Sequence, residues 1–143
     1  MLTGFEVDLI IKLVIAAFLG GVVGFERYLH KRPGGLRTHA LVSMGSALFT
    51  IVSANFPIPT PLIAAGIVGG IGFLGAGTIF RSENKVHGLT TAAELWVLAA
   101  IGIAVGIGFF AAAVATTVIV IVILGPLKKF EHEEVQARKR KRR

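Results

Sequence analysis

Few residues of this chain can do chemistry. Its 143 residues include eight carboxylates, four histidines and no cysteine, so disulfides and thiolate metal sites are excluded. Glu94 is the one charged side chain in the 38 residues from Thr90 to Leu127. A carboxylate in so apolar a run is costly to bury and is by default a functional candidate, as a contact for a cation or a proton. Glu26 is the second such candidate. A hard divalent cation of the Mg2+ type takes six oxygens and keeps several waters, so one or two carboxylates can suffice. Glu26 and Glu94 are therefore the metal-ligand candidates, although no acidic ring surrounds either. His30, His39, His87 and His132 lack a metal-ligand spacing such as HxxxH and are expected in solvated loops. No nucleophile with a paired base is apparent, so the chain is read as neither an enzyme nor the holder of an organic cofactor.

Both acidic candidates also have structural readings. Thr91-Ala92-Ala93-Glu94 has the spacing of a capping box, in which threonine and glutamate satisfy free N–H groups at a helix start. Capping is the preferred role for Glu94, with ion or proton contact second. Asp8 and Lys12, spaced i, i+4, are expected to pair and so lower the cost of a lysine at a membrane edge.

The elements that must position these groups are apolar blocks. The chain is 54% hydrophobic and 16% charged, with a mean hydropathy of +0.77, whereas a water-soluble domain carries about 25% charged residues. A single helix from Thr90 to Leu127 would run about 57 Å, against a hydrocarbon layer of roughly 30 Å. That block must fold into two passes, turning near Gly102, Gly106 and Gly108. Five transmembrane helices are expected: 9–25 with Phe5 and Val7 in front, 40–56, 62–80, 90–105 and 109–125. Prolines 57, 59 and 61 end the second, and Pro126 closes the last. The fold class is an all-α polytopic membrane bundle, divided into residues 1–127 and a basic tail, 128–143. Met1 to Asp8 lacks the basic n-region of a cleavable signal, so the first span is expected to be retained.

Charge placement gives the orientation. Fourteen of the 15 lysines and arginines fall in the loops after spans one and three or in the tail. Cytoplasmic flanks are enriched in these residues, so the N-terminus is expected outside and the tail in the cytoplasm. The tail ends in six consecutive basic residues, Arg138 to Arg143, which would attract anionic lipid headgroups. Nucleic acid is not expected as a partner, since nothing resembles a base-reading surface.

Glycine is the other strong signal. Gly66, Gly69, Gly70, Gly72, Gly75 and Gly77 crowd span three, while Gly20 with Gly24 and Gly102 with Gly106 repeat every fourth residue. Small residues let membrane helices approach closely, so these are read as packing faces within the bundle or a homo-oligomer. A second reading has Gly72 to Gly77 unwinding at membrane depth. The match of Gly70-Ile71-Gly72-Phe73-Leu74-Gly75 to the dinucleotide fingerprint lacks the preceding strand and the βαβ context that the fingerprint needs.

Four blocks then carry a family resemblance: Gly24-Phe25-Glu26-Arg27; Gly35-Leu36-Arg37-Thr38-His39; Gly70 to Ile79; and Gly88-Leu89-Thr90-Thr91-Ala92-Ala93 with Trp96. In this order and spacing the chain resembles the MgtC/SapB membrane protein family over about residues 9–127. The resemblance implies a bacterial or archaeal plasma-membrane protein linked to growth in low magnesium and to virulence. The family is often labelled as magnesium transport, and some members are held instead to restrain the proton-driven ATP synthase. Virulence-type members carry a soluble cytoplasmic domain where this chain has only Lys128 to Arg143, so the short branch is the expected match. The implied role is a non-enzymatic regulatory or interaction protein with a homo-oligomer or another membrane complex as partner. Transport of Mg2+ or protons is the alternative. The matched blocks gather Glu26, Arg27, Arg37, Thr38, Arg81, Thr90 and Thr91 at one end of the spans. They are expected to form a polar cluster in which Glu26 pairs with Arg37 or Arg81, or else to cap and snorkel singly.

Overall fold

A computed structural model describes residues 3–54, 56–57, 59–83 and 85–127. The tail, with its expected basic end and headgroup contacts, lies outside the described residues. The described residues form an all-α bundle of five helices: α1 (Gly4–Leu29), α2 (Leu36–Ser53), α3 (Thr60–Thr78), α4 (Leu89–Gly106) and α5 (Phe110–Val122). A π-helical turn, Ile123–Leu127, continues α5 and contains Pro126. A two-stranded antiparallel hairpin, β1 (Phe80–Ser82) and β2 (Lys85–His87), joins α3 to α4. No strand was expected from the sequence. Pro126 lies within the last helical segment rather than beyond its end, and the helices start and stop up to five residues away from the expected limits.

Each helix has a local reason. In α1, Thr3 caps the first turn and forms a full capping box with Glu6, while Asp8 and Lys12 pair at 3.2 Å as expected. Helix α3 opens with Pro61 in its first turn, where a missing N–H costs nothing. It stays α-helical through Gly72, Gly75 and Gly77, so the unwinding expected as a second reading does not occur. Gly108, at φ 89°, makes the tight turn between α4 and α5.

Four helical segments, Gly4–Leu29, Pro61–Thr78, Leu89–Gly106 and Phe110–Leu127, are long and apolar enough to cross a membrane. Helix α2 has the same 18-residue length as α4 but is not among them. Its inward stripe explains why. His39, Ser43, Ser46, Thr50 and Ser53, spaced by four and three residues, are all buried, while Leu41, Leu48, Phe49 and Val52 are exposed. The helix is polar inside and greasy outside, the reverse of a soluble amphipathic helix.

Glycines of the neighbouring helices receive that stripe. A Cβ on Gly102 would collide with the Ser43 carbonyl oxygen, and one on Gly106 would come within 2.8 Å of Thr50 Cβ. On the α1 side, Gly20 faces His39 and Ser43, and Gly24 faces Leu36 and His39. The close approach expected of these four glycines is therefore real, and it sandwiches α2 between α1 and α4. Buried hydroxyls turn back to their own helix: Thr50 Oγ1 donates to the Ser46 carbonyl at 2.8 Å and Ser53 Oγ to that of Thr50 at 2.6 Å.

Candidate functional site: a buried Arg27–Glu94–His39 cluster

The polar cluster expected near the helix ends exists, but with different members. Arg27 comes from the last turn of α1, Thr91 and Glu94 from the start of α4, and His39 from the first turn of α2. Arg27 Nε lies 2.9 Å from Glu94 Oε2, with both side chains over nine-tenths buried. The contact is an ion pair by distance, although the Nε–H is not aligned as a hydrogen bond. Arg27 Nη2 donates to Thr91 Oγ1 at 3.0 Å. His39, fully buried, places Nε2 3.4 Å from the same Glu94 oxygen and Nδ1 3.2 Å from the Gly35 carbonyl oxygen. Both ring nitrogens therefore face acceptors.

Two expectations fail here, each for a physical reason. Thr91 and Glu94 do not form a capping box: α4 begins at Leu89 with Gly88 as its N-cap and no side-chain cap. Thr91 and Glu94 thus lie within the first two turns of the helix, and both side chains turn toward Arg27. His39 is not solvated in a loop. It opens α2 one turn in and is covered by Gly24 and Gly34, whose missing side chains leave it room.

Glu26 pairs within its own helix. Its Oε1 lies 3.0 Å from His30 Nδ1, one turn on in the same helix. Arg37 and Thr38 are exposed beside Phe25 and Tyr28, Arg81 is exposed on β1, and Thr90 is exposed at the start of α4. Of the expected cluster, only Arg27 and Thr91 come together. His87 lies on β2 and stacks on Phe80 with ring centroids 5.2 Å apart. Among the described residues no group of three or more histidines and carboxylates could hold a metal ion.

Sequence reasoning missed His39 as a buried partner. The signal was the 39-43-46-50-53 stripe of small polar residues, which marks one face of α2 as inward. Three buried oxygens, Glu26 Oε2, Ser43 Oγ and Glu94 Oε1, have no hydrogen-bond partner among the described residues.

A cavity of about 470 Å³ opens at this end of the bundle. Its lining combines the polar residues Arg27, Arg32, His87, Thr90 and Thr91 with the apolar residues Phe80, Ile123, Leu124 and Leu127. The ends of α1 and α5, the start of α4 and the hairpin thus converge, as alternating helix directions require.

Comparison with known proteins finds relatives by sequence. The chain is 40% identical over 127 residues to a protein of Escherichia coli K12 named "Putative magnesium transporter YhiD", an alignment covering 82% of this chain and 59% of that one. It is 48% identical over 113 residues to Protein MgtC of Salmonella typhimurium LT2, covering 78% and 49%. Identity to Protein MgtC of Brucella abortus is 47% over 111 residues, covering 76% and 46%. The chain thus spans about half the length of the curated relatives it matches. No solved structure matches it. The MgtC family model matches residues 13–133, and with these relatives it establishes that this multi-pass membrane protein belongs to the MgtC family.

Proposed function

We propose that this protein is a non-enzymatic regulatory or interaction protein of the bacterial or archaeal plasma membrane, linked to magnesium homeostasis or stress adaptation. In this reading all five helices cross the bilayer, the N-terminus faces outward and the basic loops face the cytoplasm. The observation that carries the reading is the open glycine face of α3. A Cβ on Gly66, Gly69, Gly70, Gly72 or Gly77 would meet nothing within 4 Å. Gly66, Gly70, Phe73 and Gly77 follow one another at helical spacing, and Phe73 is 82% exposed. Glycine costs a helix about 1 kcal/mol relative to alanine. Gly66, Gly69, Gly70 and Gly77 on one unoccupied face support close approach of another membrane helix, from a second copy or from a different complex.

Transport of Mg2+ or protons through Glu94 is the second reading. It draws on the printed name of the YhiD relative and on the unpartnered Glu94 Oε1. The engagement of Glu94 by Arg27 and His39 weighs against a cation path there, because the carboxylate already faces a fixed positive charge. Two measurements separate the readings. Gly69→Leu with Gly70→Leu should abolish support of growth in low magnesium while the protein still accumulates in the membrane. Purified protein in liposomes should carry no Mg2+ or proton flux; a flux lost in Glu94→Gln would establish transport and end the interaction reading.

A further inference from the structure

The cavity beside the buried cluster is lined by residues of two chemical kinds. In the polar part of the lining, Arg32 is exposed to the cavity and has no acidic partner among the described residues. Thr90 supplies a hydroxyl, His87 an imidazole, and the almost buried Arg27 a second guanidinium. Helix α4, 18 residues long, also begins in this lining, with no acidic residue in its first turn and no side-chain cap. Its positive end and free N–H groups therefore add to the two guanidinium groups. The rest of the lining is aliphatic and aromatic, formed by the end of α5 and by Phe80, which stacks on His87. Arg27 is balanced by Glu94, but nothing in the lining balances Arg32.

We propose that this cavity binds a phosphate-bearing anion, with the phosphate held by Arg32, the Thr90 hydroxyl and the start of α4. Tetrahedral phosphate oxygens match the planar guanidinium fork and helix N–H groups, and the charge is stabilised by both. The apolar residues give the organic part of the ligand a surface of its own. An anionic phospholipid headgroup, with one chain laid along Ile123 and Leu127, uses both kinds of residue at once. A soluble phosphomonoester uses the polar residues alone. This site differs from the expected headgroup contacts of the tail, because it is a cavity between helices rather than a basic segment.

The full chain, purified and delipidated in a neutral detergent, is examined by native mass spectrometry with added phosphatidylglycerol or phosphatidylcholine. Glycerol 3-phosphate serves as soluble competitor. Wild type should retain phosphatidylglycerol in preference to phosphatidylcholine. Arg32→Gln should weaken that retention about tenfold, the loss expected of one charge-assisted contact. Lys31→Gln, which removes the same charge from a neighbouring exposed position outside the lining, should leave it unchanged. Both positions are exposed, so both variants should keep the wild-type unfolding temperature. Displacement of the lipid by millimolar glycerol 3-phosphate would support the phosphate site and assign it a soluble ligand; resistance would support the site and assign it the headgroup. Equal losses in Arg32→Gln and Lys31→Gln, or no preference for the anionic lipid, would overturn the proposal.

Discussion

Gly102 and Gly69 are the same residue in two helices of similar length, yet their surroundings are opposite. At Gly102 the backbone of α2 sits so close that a methyl group would overlap the Ser43 carbonyl. At Gly69 there is nothing within 4 Å. Helices α1, α2 and α4 therefore use glycine to bring three backbones together around a polar seam, whereas α3 carries glycine on a face that its own chain does not cover. Gly75 marks the boundary: it faces α4, and a Cβ there would make ordinary contact with Ala92 at 3.5 Å. Glycine content alone does not distinguish a helix that is packed from one that is available to be packed.

The largest effect that would test this contrast lies at the seam's charged end. Arg27→Ala leaves Glu94 buried without its countercharge, and loss of one partner of a buried pair costs about 3–5 kcal/mol. Unfolding of that variant in mixed micelles should show a fall of this size; a loss below about 1 kcal/mol, as for an exposed pair, would mean that the end is wetter than its burial indicates. Next comes Gly102→Ala, where overpacking against α2 should cost about 1–3 kcal/mol in the same assay. Gly69→Ala should be neutral or stabilise by up to about 1 kcal/mol, because alanine favours the helix and meets no neighbour. If Gly69→Ala destabilises as much as Gly102→Ala in detergent-solubilised monomer, the distinction between the two glycine faces fails. The smallest change belongs to Asp8→Asn at the far end of α1, where the i, i+4 pairing of exposed Asp8 with half-buried Lys12 contributes roughly 0.3–0.5 kcal/mol.

Much of this arrangement was readable from residue order. Runs such as Leu62 to Phe80 are uncharged and of span length, so helix number and type followed from periodicity and length. The pair Asp8–Lys12 followed from spacing on one helix. Partners between helices did not. Glu94 meets Arg27, 67 positions away in the chain, because α1 and α4 are brought side by side through α2, and no local rule encodes that meeting. The capping-box reading of Thr91 and Glu94 was misled by a local pattern: the helix starts one turn earlier, at the left-handed Gly88 with φ 86°. That conformation is open to glycine at little cost, and here a Cβ would also collide with the Thr78 carbonyl oxygen. The glycine repeats showed that close contacts were needed but not which were satisfied within one chain.

The inverted character of α2 has a consequence for how the protein is made. A segment whose three serines, Thr50 and His39 all point to one side gains little by partitioning into lipid by itself. In the five-span arrangement it depends on α1, which is apolar throughout its middle, to shield that side as both leave the translocation machinery. Biogenesis should therefore treat Gly4 to Ser53 as one helical hairpin, and a ribosome stalled between the two helices would hold α2 back from the bilayer until its escort is in place.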